Sequence, residues 1–111
     1  MLPLEVDKVE LIIANISDVL VQAAHPKRII LFGSRARGDA AGESDFDVMV
    51  VEENPPQRFA ETVRLNRLLR ALDAAVDLIV VSERMFEYWR DTPGNIYYEA
   101  ARDGRVLYEA A

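Results

Sequence analysis

Apolar residues fall at Val6, Val9, Ile12, Ile13, Ile16, Val19 and Leu20, the three-and-four spacing that lines one face of a helix. The pattern predicts an amphipathic helix over 6–20 that ends before Pro26, because proline cannot continue the hydrogen-bond ladder. Ile29-Ile30-Leu31-Phe32 is too short for a helix and is bounded by Gly33, so it reads as a strand buried on both faces. A second strand is predicted over 46–51, closed by the stretch EENPPQ. Helical spacing returns over 58–72 through Phe59, Val63, Leu65, Leu68, Leu69 and Leu72, and VDLIVV at 76–81 predicts a third strand. Ser82 is the expected N-cap of another helix starting at Glu83. Pro93-Gly94 breaks the chain, 96–102 predicts a last helix capped by Gly104, and RVLYE reads as a short strand or tail.

Strands alternating with helices predict an α/β fold, a small sheet with helices packed on it. The connection over 33–45 has few apolar residues and reads as a site rather than a packing helix. At 111 residues, with no internal repeat and no long linker, the chain is expected to form a single domain over 1–111. Half of its residues are hydrophobic and 29% are charged, which predicts a chain folded throughout. It has no cysteine, so disulfides and thiolate zinc sites are excluded, as suits a reducing cytosol. No basic-then-apolar leader and no run of about 20 apolar residues is present. A cytoplasmic protein with no membrane partner is expected. The net charge of −6 argues against binding duplex nucleic acid, because that affinity comes from Lys and Arg neutralising phosphates. Lys27, Arg28, Arg35 and Arg37 nevertheless fall around the Gly33-Ser34 turn and would suit a small anion.

The candidate chemistry lies in GSRARGDAAGESDFDVMVV. Asp45 and Asp47 are two residues apart, so on a strand they share a face, roughly 6.6 Å apart along the chain. Two adjacent carboxylates repel unless a cation lies between them or one is protonated. Magnesium, a hard cation, prefers carboxylate, phosphate and water oxygens. Asp77 interrupts an otherwise apolar strand, a costly place for an ionised carboxylate unless it is paired or metal-bound. If its strand lies beside that of Asp45 and Asp47, three carboxylates converge, and a two-metal site stabilises both oxygens of an in-line phosphoryl displacement. Gly33 lets the backbone approach an anion, and Ser34 adds a hydroxyl at the start of a short helix. Gly33 and Gly38 have the glycine spacing of a P-loop, but Asp39 and Ala40 stand where Lys and Ser or Thr are required, so that reading fails.

These residues resemble the G-S-x-A-x-G…S-D-x-D signature of the DNA polymerase beta-type nucleotidyltransferase superfamily, and most closely its minimal nucleotidyltransferases, which act as antitoxins beside HEPN-domain ribonuclease toxins. The signature spans Gly33 to Asp47, Asp77 matches the third carboxylate, and RDGRVLYE matches the family's ending. The resemblance implies a small polymerase beta-like fold with a short mixed sheet flanked by helices. It implies that Gly33 and Ser34 hold the nucleotide, that Asp45, Asp47 and Asp77 form the catalytic and metal site, and that Mg2+ is the cofactor and ATP the substrate. It further implies transfer of AMP to a hydroxyl, a tyrosine, of a partner HEPN toxin in a hetero-oligomer.

The competing readings are a binding module that neutralises its partner by occlusion, and transfer to RNA ends, against which the acidic balance counts. Asp77 pairing with Arg28 or Arg64, and Arg35 and Arg37 as surface charges, are the plain structural readings. His25 is expected to cap a helix end. Phe86, Tyr88, Trp89, Tyr97 and Tyr98 read as core and groove lining, or as a partner surface where exposed.

Overall fold

The computed structural model describes residues 7–38, 45–55 and 57–111. The first helix, α1 (Lys8–Ala24), starts where the Asp7 side chain accepts a hydrogen bond from the Val9 amide. It runs four residues past Leu20 because Val21, Ala23 and Ala24 still pack on the core. It stops at His25, whose φ of 48° is left-handed and whose backbone N–H, donating to the Val21 carbonyl, makes the cap. Val6, the expected start of this helix, lies outside the described residues, as do Pro56 of the EENPPQ stretch and Asp39, Ala40 and Ser44 of the signature.

Strand β1 (Arg28–Phe32) leads into the one-turn helix α2 (Ser34–Arg37), then β2 (Phe46–Glu52), α3 (Arg58–Leu69), β3 (Val76–Ser82), α4 (Glu83–Trp89), α5 (Ile96–Asp103) and β4 (Arg105–Glu109). The strands form one sheet in the order β3-β2-β1-β4. β1 is antiparallel to both β2 and β4, and β2 is parallel to β3. The expected mixed sheet flanked by helices is therefore present, and RVLYE is an edge strand rather than a tail. Helix α3 ends three residues short of Leu72, where the Leu72 amide turns back to the Leu69 carbonyl at 3.0 Å. As expected, Ser82 caps α4, its hydroxyl accepting from the Met85 amide at 3.1 Å.

The sheet is covered on both faces, which explains the near-continuous apolar runs of β1 and β2. On one face Ile13, Ile16 and Leu20 of α1 and Leu65 and Leu69 of α3 pack on Leu31, Val48, Val50 and Leu78. On the other, Phe86 of α4 and Ala100 of α5 pack on Ile30, Met49, Val51 and Val81. Gly104 does cap α5, but in an extended conformation with φ −77°. Its lack of a side chain matters for space: a Cβ there would overlap the Ala100 carbonyl oxygen and come 2.6 Å from Ile30 Cγ2. Among the described residues no helix is long and apolar enough to cross a membrane.

Candidate active site

Two strand registers assemble the site. Phe32 of β1 pairs with Asp47 of β2, and Asp47 pairs with Asp77 of β3. Gly33, following Phe32, is thereby brought against Asp47: a Cβ at position 33 would overlap the Asp47 Oδ2 atom and lie 3.3 Å from its Cγ. Gly33 also has φ 74° and ψ −157°, a conformation suited to glycine. Its carbonyl accepts from the Ala36 and Arg37 amides, both at 3.1 Å, closing the single turn of α2 that begins with Ser34.

That turn is fastened on three sides. The Arg35 guanidinium lies 4.4 Å from the centre of the Phe46 ring, Ala36 packs on the core, and Arg37 forms an ion pair with Glu99 of α5 at 3.1 Å. Arg37 and Glu99 are 62 positions apart, and no sequence pattern joined them. Glu99 is the site residue that sequence reasoning missed. Strand alternation provides the reason for its reach, since Asp47 shares the face of Met49 and Val51, the face that α5 covers.

The electrostatics follow from this crowding. Burial pushes the Asp47 carboxyl above the ordinary carboxylate range, and the charges of Asp77, Asp45 and Glu99 push it further; Arg37 draws it part of the way back. A donor set made only of carboxylates, one of them destabilised by its neighbours' charge, fits a hard divalent cation. Among the described residues no group of three or more acidic, histidine or cysteine side chains is gathered closely enough to hold a metal by itself. Magnesium is commonly held by one or two carboxylates with substrate phosphates and water supplying the rest, and Asp47 and Asp77, with Asp45 beside them, fit that mode.

Two sequence expectations need correction. Asp77 is exposed rather than buried in its strand, because it lies near the open end of β3, so the cost of burying a charge is no argument for its role. Its proposed structural partners are engaged elsewhere: Arg28 with Glu109 at 2.9 Å and Glu87 at 3.4 Å, and Arg64 with Glu61 at 2.8 Å. Asp45 directly precedes β2, in keeping with the strand expected over 46–51. Finally, the four basic residues do not form one anion site. Arg28 begins β1 and Lys27 pairs with Glu53 at 3.5 Å, at the opposite end of that strand from Gly33.

A second group of acids lies at the far end of β2. Burial and a hydrogen bond with Glu61 push Glu52 up to about 7, while Arg64 holds Glu61 low. The aromatic set divides: Phe86 is core, Tyr97 packs beside it, and Tyr88 is exposed, with its ring edge-on to Trp89 at 4.9 Å.

Residues 14–111 match the family described as polymerase beta, nucleotidyltransferase. A Methanocaldococcus jannaschii protein named as a protein adenylyltransferase is 36% identical over 83 residues, covering 74% of this chain and 78% of its own. A solved structure described as a minimal nucleotidyltransferase is 27% identical with TM-score 0.59, over 93% of this chain and 98% of that one. The complex of a tri-AMPylated Shewanella oneidensis HEPN toxin with an MNT antitoxin contains a chain 22% identical with TM-score 0.59, over 91% of this chain and 72% of that one; this likeness is one of fold.

Proposed function

Because this chain belongs to the polymerase beta-type nucleotidyltransferase family, we propose that it transfers AMP from ATP to a tyrosine hydroxyl of a HEPN-domain ribonuclease toxin in the cytoplasm and acts as that toxin's antitoxin. The observation that carries this reading is the juxtaposition of Gly33, Asp47 and Asp77 through two strand registers. The names of the relatives support the finer terms, one being a protein adenylyltransferase and another an antitoxin complexed with an AMPylated HEPN toxin.

In this reading the acceptor oxygen attacks the α-phosphorus of ATP, the bond to the β-phosphate breaks, and pyrophosphate leaves with the electron pair. The Gly33 backbone, bare of a side chain, admits the phosphates, and Ser34 offers its hydroxyl and amide to them. Asp77, the more exposed of the paired aspartates, accepts the proton that the acceptor hydroxyl loses. Asp45, Asp47 and Asp77 would hold Mg2+, which supplies neutralisation of the charge on the phosphates. Arg37, held by Glu99, adds a fixed positive charge beside them.

Intact mass spectrometry of the protein encoded next to this one, incubated with the chain, ATP and Mg2+, tests the proposal. A gain of one or more AMP units that disappears with Asp47→Asn supports it. A stable complex with no change of mass under any nucleotide would replace it with neutralisation by binding alone, and labelling of RNA in preference to protein would move the acceptor to RNA.

A further inference from the structure

An open groove lies away from the carboxylates. It is about 920 Å³ in volume and is lined by Arg58 of α3, Ser82, and Arg84, Met85, Glu87, Tyr88 and Trp89 of α4. Parallel pairing of β2 and β3 puts it at the opposite end of these strands from Asp47 and Asp77. The separation is roughly 16 Å, five residues at about 3.3 Å each.

Two features mark this groove as a docking surface. The first is exposed apolar and aromatic area: Tyr88 is 72% exposed and Met85 37%, in company with Trp89. Tyr, Trp, Met and Arg are the residue types enriched where proteins meet. The second is charge. Glu87, the groove's one acid, is neutralised by Arg28 and Arg90, each at 3.4 Å. Arg58 and Arg84 have no ion-pair or hydrogen-bond partner among the described residues. The groove therefore offers two uncompensated guanidinium groups over an apolar floor, on a chain whose net charge is −6.

We propose that this groove binds an acidic segment of the partner ribonuclease, seating apolar side chains on Met85, Tyr88 and Trp89 and carboxylates on Arg58 and Arg84. Arginine's planar fork suits carboxylates in bidentate pairs. A run of nucleic acid is disfavoured, because two cations on an acidic protein give little backbone affinity. The inference rests on the proposed pairing with a ribonuclease and deepens it: the partner is held at one end of the sheet while the transfer site at the other end stays open to the acceptor.

The test is titration calorimetry of the full chain with its proposed HEPN-domain ribonuclease partner, at two salt concentrations. Tyr88→Ala is expected to weaken binding about 30-fold. The double charge reversal R58E/R84E is expected to weaken it about 100-fold and to flatten its salt dependence. All three side chains are exposed, so circular dichroism should stay unchanged, and binding of ATP with Mg2+ should be equal in both variants. Hydrogen exchange should slow over 83–89 in the complex. Unchanged affinity in both variants would overturn the groove assignment while leaving the transferase reading standing. So would an effect confined to self-association in sedimentation, which assigns the groove to a second copy, or one confined to RNA retention. If the unaltered chain does not bind the ribonuclease, the partner reading falls and this inference with it.

Discussion

The Asp47 carboxylate occupies the space that a side chain at Gly33 would need. The turn and the acid are thus packed together, and no side chain can be added at position 33 without moving the acid. Gly33→Ala adds a methyl group against the Asp47 carboxyl group at φ 74°, with a cost of about 1–3 kcal/mol from overpacking and backbone strain. Thermal unfolding should show a lower Tm, and binding of ATP with Mg2+ should fall at least tenfold. A variant that kept both affinity and Tm would show that the turn does not depend on this contact.

The pairing of Asp47 with Asp77 makes a prediction about each. In a carboxyl-detected NMR titration Asp47 should titrate above its ordinary 3.8, and Asp77→Asn should bring it down, since the Asp77 charge is the largest contribution after burial. A raised carboxyl favours the protonated form in the folded chain, so ionised Asp47 lowers stability as the pH rises through its folded value. Asp47→Asn should therefore gain a few tenths of a kcal/mol at pH 8, the repulsion being screened by solvent at this partly exposed group. The same variant should lose about 100-fold or more in transfer rate. Higher stability with lost transfer separates a site residue from a structural one.

Glu52 gives the chain a measurable pH dependence. Its carboxyl rises from the ordinary 4.5 to about 7 on folding, so the folded state binds its proton more tightly than the unfolded chain does. Its contribution is most favourable at or below pH 4.5 and is lost as the pH climbs to 7. Glu61, held low by Arg64, acts in the opposite sense and loses its contribution as the pH falls below 4.5. Glu52→Gln should raise stability by about 1 kcal/mol at pH 8, a discounted figure for a part-exposed group, and by nothing near pH 4. Urea melts at the two pH values would decide it, and an equal gain at both would mean that Glu52 is not titrating.

Gly104 is constrained by space alone. Gly104→Ala would drive a methyl group into the Ala100 carbonyl oxygen and Ile30 Cγ2, and since the first is backbone, relief requires α5 to shift. The expected cost is about 2 kcal/mol, read as a Tm lower by several degrees. Nucleotide affinity should change far less than with Gly33→Ala. A loss confined to affinity would contradict the packing argument.

Much of this protein follows from its sequence by itself. Periodicities of 2 and 3.6 are properties of the local chain, so the strands through Ile29-Ile30-Leu31-Phe32 and 76–81 and the helices around Ile16 and Leu65 were legible, as was Ser82 as a cap. The signature from Gly33 to Asp47, with Asp77, was legible because a glycine turn and acids at strand starts are local too. Tertiary structure decided the rest. Which strands are neighbours depends on how both faces of the sheet are covered, and only the β3-β2-β1-β4 order puts Asp47 between Gly33 and Asp77. The Arg37–Glu99 pair, the partners of Lys27 and Arg28, the exposure of Asp77 and the raised carboxyl of Glu52 all join residues far apart in the chain or depend on solvent access. No spacing encodes such a contact, because charge pairing and desolvation act through distance in space.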